Sequence, residues 1–170
     1  MADQPGRRLI HLEKEAYGET FGKDLLEQYK LYVQSAENVS ARRVASSNYL
    51  LTLNTALVAL YGFRSAGFGE NLWALSVPLI GIAVSLLWRS IIRSHADLNS
   101  VKFDIIHEFE QHLPAAMYEY EWQLAEEGKG KVYRAVTSKE LWIPVVFAVL
   151  HAILAAIIFL EVISVWDWVK

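Results

Sequence analysis

One stretch dominates what this chain can become. Residues 141–166, LWIPVVFAVLHAILAAIIFLEVISVW, carry Trp142 and Trp166 near their two ends, and only His151, Glu161 and Ser164 interrupt an apolar run. A helix of that length reaches roughly 39 Å, more than a ~30 Å hydrocarbon core requires. A soluble chain of 170 residues has little room to cover so long an apolar helix. Thr137-Ser138-Lys139-Glu140 just upstream has the spacing of a capping box, and Pro144 falls in the first turn, where a missing N–H costs little. The stretch reads as a transmembrane helix, so the rest of the chain is read against a bilayer.

Composition narrows the functional classes. There is no Cys, which removes disulfides, thiolate metal sites and a cysteine nucleophile. The net charge of −3 gives no general attraction to nucleic acid, and no nucleic-acid partner is expected. The first residues, MADQPGRRLIHLEKE, lack the apolar core of a signal peptide, so targeting is expected from internal spans. No phosphate loop, nucleophile elbow or dinucleotide fingerprint is present, and neither an enzymatic activity nor a cofactor is expected.

Residues 1–22 read as a polar tail. Between Gly22 and Gly62 there is neither Gly nor Pro, and Leu25, Tyr29, Tyr32, Ala36, Val39 and Arg43 recur at alternating spacings of four and three, one stripe of a helix. The same run turns apolar at Tyr49, so residues 23–63 are expected to form a stalk helix continuous with a first span. That span is short and must borrow residues 45–48 to cross. Residues 64–71 form a Gly-containing turn. Residues 72–113 then reverse the order: a second span kinked at Pro78 and Gly81, followed by a second stalk helix antiparallel to the first. On that stalk Ile91, His95, Leu98, Ile105, Phe109 and Leu113 make an apolar stripe, set against Asp97, Lys102, Asp104, Glu108 and Glu110. Residues 114–140 are a connector with a short aromatic helix around Tyr118, Tyr120 and Trp122, and residues 141–166 are the third span. The fold class is an all-α membrane protein with three spans and two amphipathic stalks, whose apolar stripes would be buried against each other or a neighbouring copy.

Lys and Arg placement sets an orientation. Lys30, Arg42 and Arg43 precede the first span, Arg89, Arg93 and Lys102 follow the second, and Lys129, Lys131, Arg134 and Lys139 precede the third. Only Arg64 lies in the turn between the first two spans, and only Lys170 follows the third. By the positive-inside rule the N-terminus and the stalks face the cytoplasm and the C-terminus faces out. Arg42, Arg43, Arg89 and Arg93, with Trp73, Trp88, Trp142 and Trp166, are the expected membrane-interface anchors.

The segments EQYKLYVQSAENVSARR, WRSIIRSHADLNSVKFDIIHEFE and EYEWQLAEEGKGKVYRAVTSKELWIPVVF together resemble the RipA-type family of small octameric bacterial inner-membrane proteins. Leu98-Asn99-Ser100-Val101-Lys102-Phe103 and Glu121-Trp122, followed by Gly130-Lys131-Val132-Tyr133-Arg134, are the most specific pieces. The resemblance implies a homo-oligomer of eight chains in the cytoplasmic membrane and carries no catalytic motif with it. A more distant likeness of architecture is to the two-span membrane effectors of phage-defence systems.

Three constellations are candidates for function. Asn48, Thr52 and Thr55 fall at i, i+4 and i+7 on the first span, extended by Ala59 and Gly62; this face either lines a narrow hydrated pore in a ring of subunits or packs tightly through small and hydroxyl residues. Asn54 points elsewhere and needs its own partner. His151 sits near the middle of the third span, where an ionisable side chain marks an ion path or a polar interhelical contact, with Ala152, Ala155 and Ala156 allowing close approach. Glu161 lies ten residues further, about a quarter turn away around the helix. Finally, Arg89 and His95 have the loose R-x5-H spacing of HEPN-type ribonucleases, although Arg89 has a more ordinary role at the headgroups. His107 and His112 are five apart, off the spacing of a helical metal pair, and no metal is expected. The expected function is a ring-like homo-oligomeric pore or gated leak. Its rivals are a non-conducting scaffold for lipids or partner proteins and, remotely, a membrane-tethered ribonuclease. Partners are other copies of the chain, membrane lipids and an unidentified cytoplasmic protein.

Overall fold

The computed structural model describes residues 8–62, 72–128 and 137–168. All regular structure among them is helical: α1 (Lys14–Tyr17), α2 (Phe21–Gly62), α3 (Ser76–Glu110), α4 (Met117–Leu124), α5 (Thr137–Glu140) and α6 (Trp142–Trp168), with short 3-10 turns at Leu72–Leu75 and Glu126–Gly128. The chain divides into two compact units, residues 1–41 with 97–135 and residues 42–96 with 136–170, so α2 and α3 each contribute to both.

The first unit is held by the stripe that spacing predicts on α2. Leu25, Tyr29 and Ala36 are buried with Ile106 and Phe109 of α3, and Tyr32, Val33, Phe103 and Tyr118 pack around them. Tyr29 meets Phe109 edge to face, and Lys102 Nζ donates to Ser35 Oγ at 2.8 Å while lying 4.6 Å over the Tyr32 ring. Partner numbers fall on α3 as they rise on α2, so the two segments are antiparallel in this unit. The stripe on α3 differs from the one anticipated. Ile106 is fully buried and Ile105 only partly, Leu98 is 49% exposed, and Glu110, expected on the polar face, is 1% exposed. Pro114 explains where α3 stops. Its nitrogen cannot donate to Glu110 O, and the last turn tightens to bonds from His112 N to Phe109 O and from Leu113 N to Glu110 O.

The second unit is built around Leu50, Trp88 and Ile92, with Leu53, Val84, Leu141 and Phe147 packed against them. Here too α2 and α3 run antiparallel, since Asn54 meets Ser85 and Ser47 meets Trp88. Pro78 sits in the first turn of α3, among N–H positions that lack a helical partner in any case, so it does not interrupt the hydrogen-bond ladder. Two helices, α3 and α6, are long and apolar enough to cross a membrane. The apolar end of α2 falls short of that standard because Ser46, Ser47, Asn48 and Asn54 dilute a brief hydrophobic run. With 35 residues α3 spans about 52 Å, well beyond a ~30 Å core. Its apolar part ends at Trp88, and from Arg89 onward charges recur.

Candidate functional site

The polar residues of the second unit fall into two sets, one open and one closed. Asn48, Thr52 and Thr55 are all exposed on one stripe of α2. Thr52 Oγ1 donates to Asn48 O at 2.9 Å and Thr55 Oγ1 to Leu51 O at 2.8 Å. Back-bonding of this kind satisfies the hydroxyl proton within the helix and leaves the oxygen lone pairs facing outward. Ala59 and Gly62, further along the same stripe, are exposed as well.

The closed set lies between helices. Asn54, fully buried, donates from Nδ2 to Leu50 O and accepts at Oδ1 from Ser85 Oγ of α3, both at 2.8 Å. Gly81 O lies equally close to Ser85 Oγ, so the single hydroxyl proton is shared between one acceptor across the interface and one in its own helix. His151 of α6 is fully buried, and neither ring nitrogen has a hydrogen-bond partner among the described residues. Its imidazole rests on Gly81: a Cβ built at that position would fall within the ring. Gly81 is thus a seat for α6, where the sequence suggests a kink. Ser85 and Gly81 escaped sequence reasoning as a pair; their small-x-x-x-small spacing, which permits close helix approach, was the available signal. Glu161 is exposed and makes no hydrogen bond to His151.

The expected interface anchors separate by environment. Trp88 is a core residue, 2% exposed, donating from Nε1 to Ser47 Oγ at 3.3 Å and packing on Phe147 at 6.1 Å between ring centroids. Arg89 donates from Nη1 to Leu141 O at 3.1 Å, at the start of α6, and Arg43 lies 3.8 Å from Glu140 with both side chains largely covered. These two arginines tie the start of α6 to α2 and α3. Arg42, Arg93 and Trp142 are exposed. The side chains of Trp73 and Trp166 lie outside the described residues. His95 Nδ1 is 2.8 Å from Ile91 O, so Arg89 and His95 are each engaged with a backbone carbonyl and share no contact. Among the described residues no group of three metal-ligating side chains could hold an ion.

The first unit holds one site that spacing did not expose. Glu110 Oε1 accepts from Tyr29 Oη at 2.8 Å and from Tyr118 N at 2.9 Å, and Oε2 accepts from Glu119 N at 2.9 Å. Burial pushes this carboxyl upward, but the two backbone N–H groups, the Tyr29 hydroxyl and nearby His107 together hold it below the ordinary carboxylate value. Burial and the bond to Glu110 push the Tyr29 hydroxyl well above its usual range. No local signal marks Glu110, because its partners are distant in sequence or come from backbone.

No curated protein and no solved structure matches the chain. A family model does, over residues 26–160, which takes in α3, α4 and α5 whole and most of α2 and α6. With two membrane-length helices and only helices as regular structure among the described residues, the chain belongs to the octameric membrane protein family (8xMP).

Proposed function

We propose that eight copies of this chain close into a ring in the bacterial cytoplasmic membrane and that the ring acts as a pore or gated leak. In this reading α2 supplies a third span through residues 45–62, the first unit and the N-terminus face the cytoplasm, and the C-terminus lies outside. The observation that carries it is the division of polar groups in the second unit. Asn54, Ser85 and His151 are turned inward, whereas Asn48, Thr52 and Thr55 stand open along one face of α2. Repeated around a ring axis, that face would offer amides and hydroxyl oxygens to a hydrated path.

A scaffold that organises lipids or a partner protein is the second reading. The Thr52 and Thr55 hydroxyls are already bonded within α2, and Ala59 and Gly62 continue their stripe, which also suits close packing between copies. The reading assigns no enzymatic activity: Arg89 and His95 have separate backbone partners, and RNA incubated with the purified protein should remain intact.

Conductance of the purified octamer in a planar bilayer separates the two. Discrete steps that vanish in Thr52→Trp would support a lumen lined by α2. Silence from protein shown to be inserted and octameric would leave the scaffold.

A further inference from the structure

In the first unit α4 buries none of its eight residues, yet it is firmly placed. Glu110 holds the N–H groups of Tyr118 and Glu119, and the Tyr118 ring meets Phe103 of α3 at 5.8 Å. An isolated helix of this length would not persist in water, so its placement comes from those contacts. Its other side is apolar and open. Met117, Tyr120 and Leu124, at i, i+3 and i+7, are 65%, 63% and 63% exposed beside a shallow groove lined by Ala115, Ala116 and Gln123.

A second open apolar patch lies on α3 in the same unit, where Leu98 is 49% and Val101 41% exposed. At ~100° per residue, Leu98 and Val101 lie about 140° and 160° around α3 from Phe103, the residue that carries α4. The unit therefore presents one apolar patch on α4 and another on the far side of α3. Two different patches on opposite sides of one body are what head-to-tail closure requires. The family is octameric, so neighbouring copies are available to cover both.

We propose that the Met117–Tyr120–Leu124 face of α4 in one copy docks on the Leu98–Val101 face of α3 in the next. Anchoring by Glu110 sets the angle of α4 before assembly, which lowers the ordering cost of the contact. The assignment rests on octamer formation and is independent of whether the ring conducts.

The test is native mass spectrometry of full-length protein in one detergent, comparing Leu124→Glu, Val101→Arg and the double variant. Both positions are open to solvent in the single copy, so helix content should hold in each variant; Met117→Glu and Leu98→Arg serve as replacements if it does not. Each single variant should raise the concentration for half-assembly at least ~tenfold, and the double variant, which sets a carboxylate against a guanidinium across the contact, should recover most of that loss. Octamers that survive both single changes would overturn the proposal and give the α4 face to lipid or another protein. Dissociation without recovery in the double variant would overturn it too, because the two patches would then not face each other.

Discussion

Tyr29 and Glu110, 81 positions apart, share a buried 2.8 Å hydrogen bond in which the phenol donates to the carboxylate. The same carboxylate accepts the N–H groups of Tyr118 and Glu119, the second and third residues of α4. Those are the donors an N-cap side chain would satisfy, and Ala116 at the N-cap position cannot. One residue at the end of α3 thus joins α2, closes α3 and starts α4.

Removing that carboxylate should free α4. Glu110→Ala leaves two N–H groups and a buried phenol without their acceptor, a loss of about 2 kcal/mol given charge-assisted bonds. The amides of Tyr118 and Glu119 should then exchange hydrogen roughly 30-fold faster. Tyr29→Phe removes one donor only and should leave these amides within about threefold of wild type.

Acid should act through the same group. The carboxyl sits below its ordinary value of 4.5 in the folded chain, so the unfolded state binds more protons there and stability rises with pH. Its contribution is complete above that value and is lost as pH falls through the folded value. Exchange at Tyr118 and Glu119, corrected for the intrinsic rate, should accelerate below about pH 4.5 in wild type and stay flat in Glu110→Gln. At the alkaline end the raised Tyr29 hydroxyl has the opposite sign: its share is complete below 10.0 and is lost at higher pH.

Helix order, the antiparallel pairing and the apolar stripe on α2 were legible because they depend on spacing, and Leu25, Tyr29 and Ala36 are buried as that spacing requires. Glu110 is not legible in this way, since a lone carboxylate on a helix looks solvated until the donors that reach it are known. Residue type places Trp88 at the membrane interface, where Trp concentrates, but does not reveal that the fold buries it against Leu50 and Phe147. The α2 polar stripe was legible as a stripe. What faces it belongs to the assembly, and one chain's pattern does not encode its neighbour's position.

The Asn54–Ser85 bond is the fully buried one of two polar ties described between α2 and α3 in the second unit, the other running from Trp88 to Ser47. Ser85→Ala should cost about 1 kcal/mol, since Asn54 Oδ1 loses its cross-helix donor while Nδ2 keeps Leu50 O. Asn54→Leu with Ser85→Ala removes both polar groups together and should cost less than the two single changes summed, measured by thermal unfolding in micelles.

His151 and Gly81 make the most constrained contact in that unit. Any side chain at 81 would enter the imidazole, so Gly81→Ala must push α6 from α3, with a cost of about 1–3 kcal/mol. If the contact is purely steric, Gly81→Ala combined with His151→Ala should recover part of that loss, since the methyl group then occupies space the ring has left. His151→Leu isolates the other property of the site. Neither nitrogen has a partner among the described residues, and exchanging an unpaired buried polar group for an apolar one of similar size is neutral or stabilising. The melting temperature of the octamer should therefore hold or rise in His151→Leu. A marked fall would mean that the imidazole finds its hydrogen-bond partner in the assembled ring, where its loss leaves a buried polar group of a neighbouring copy unsatisfied.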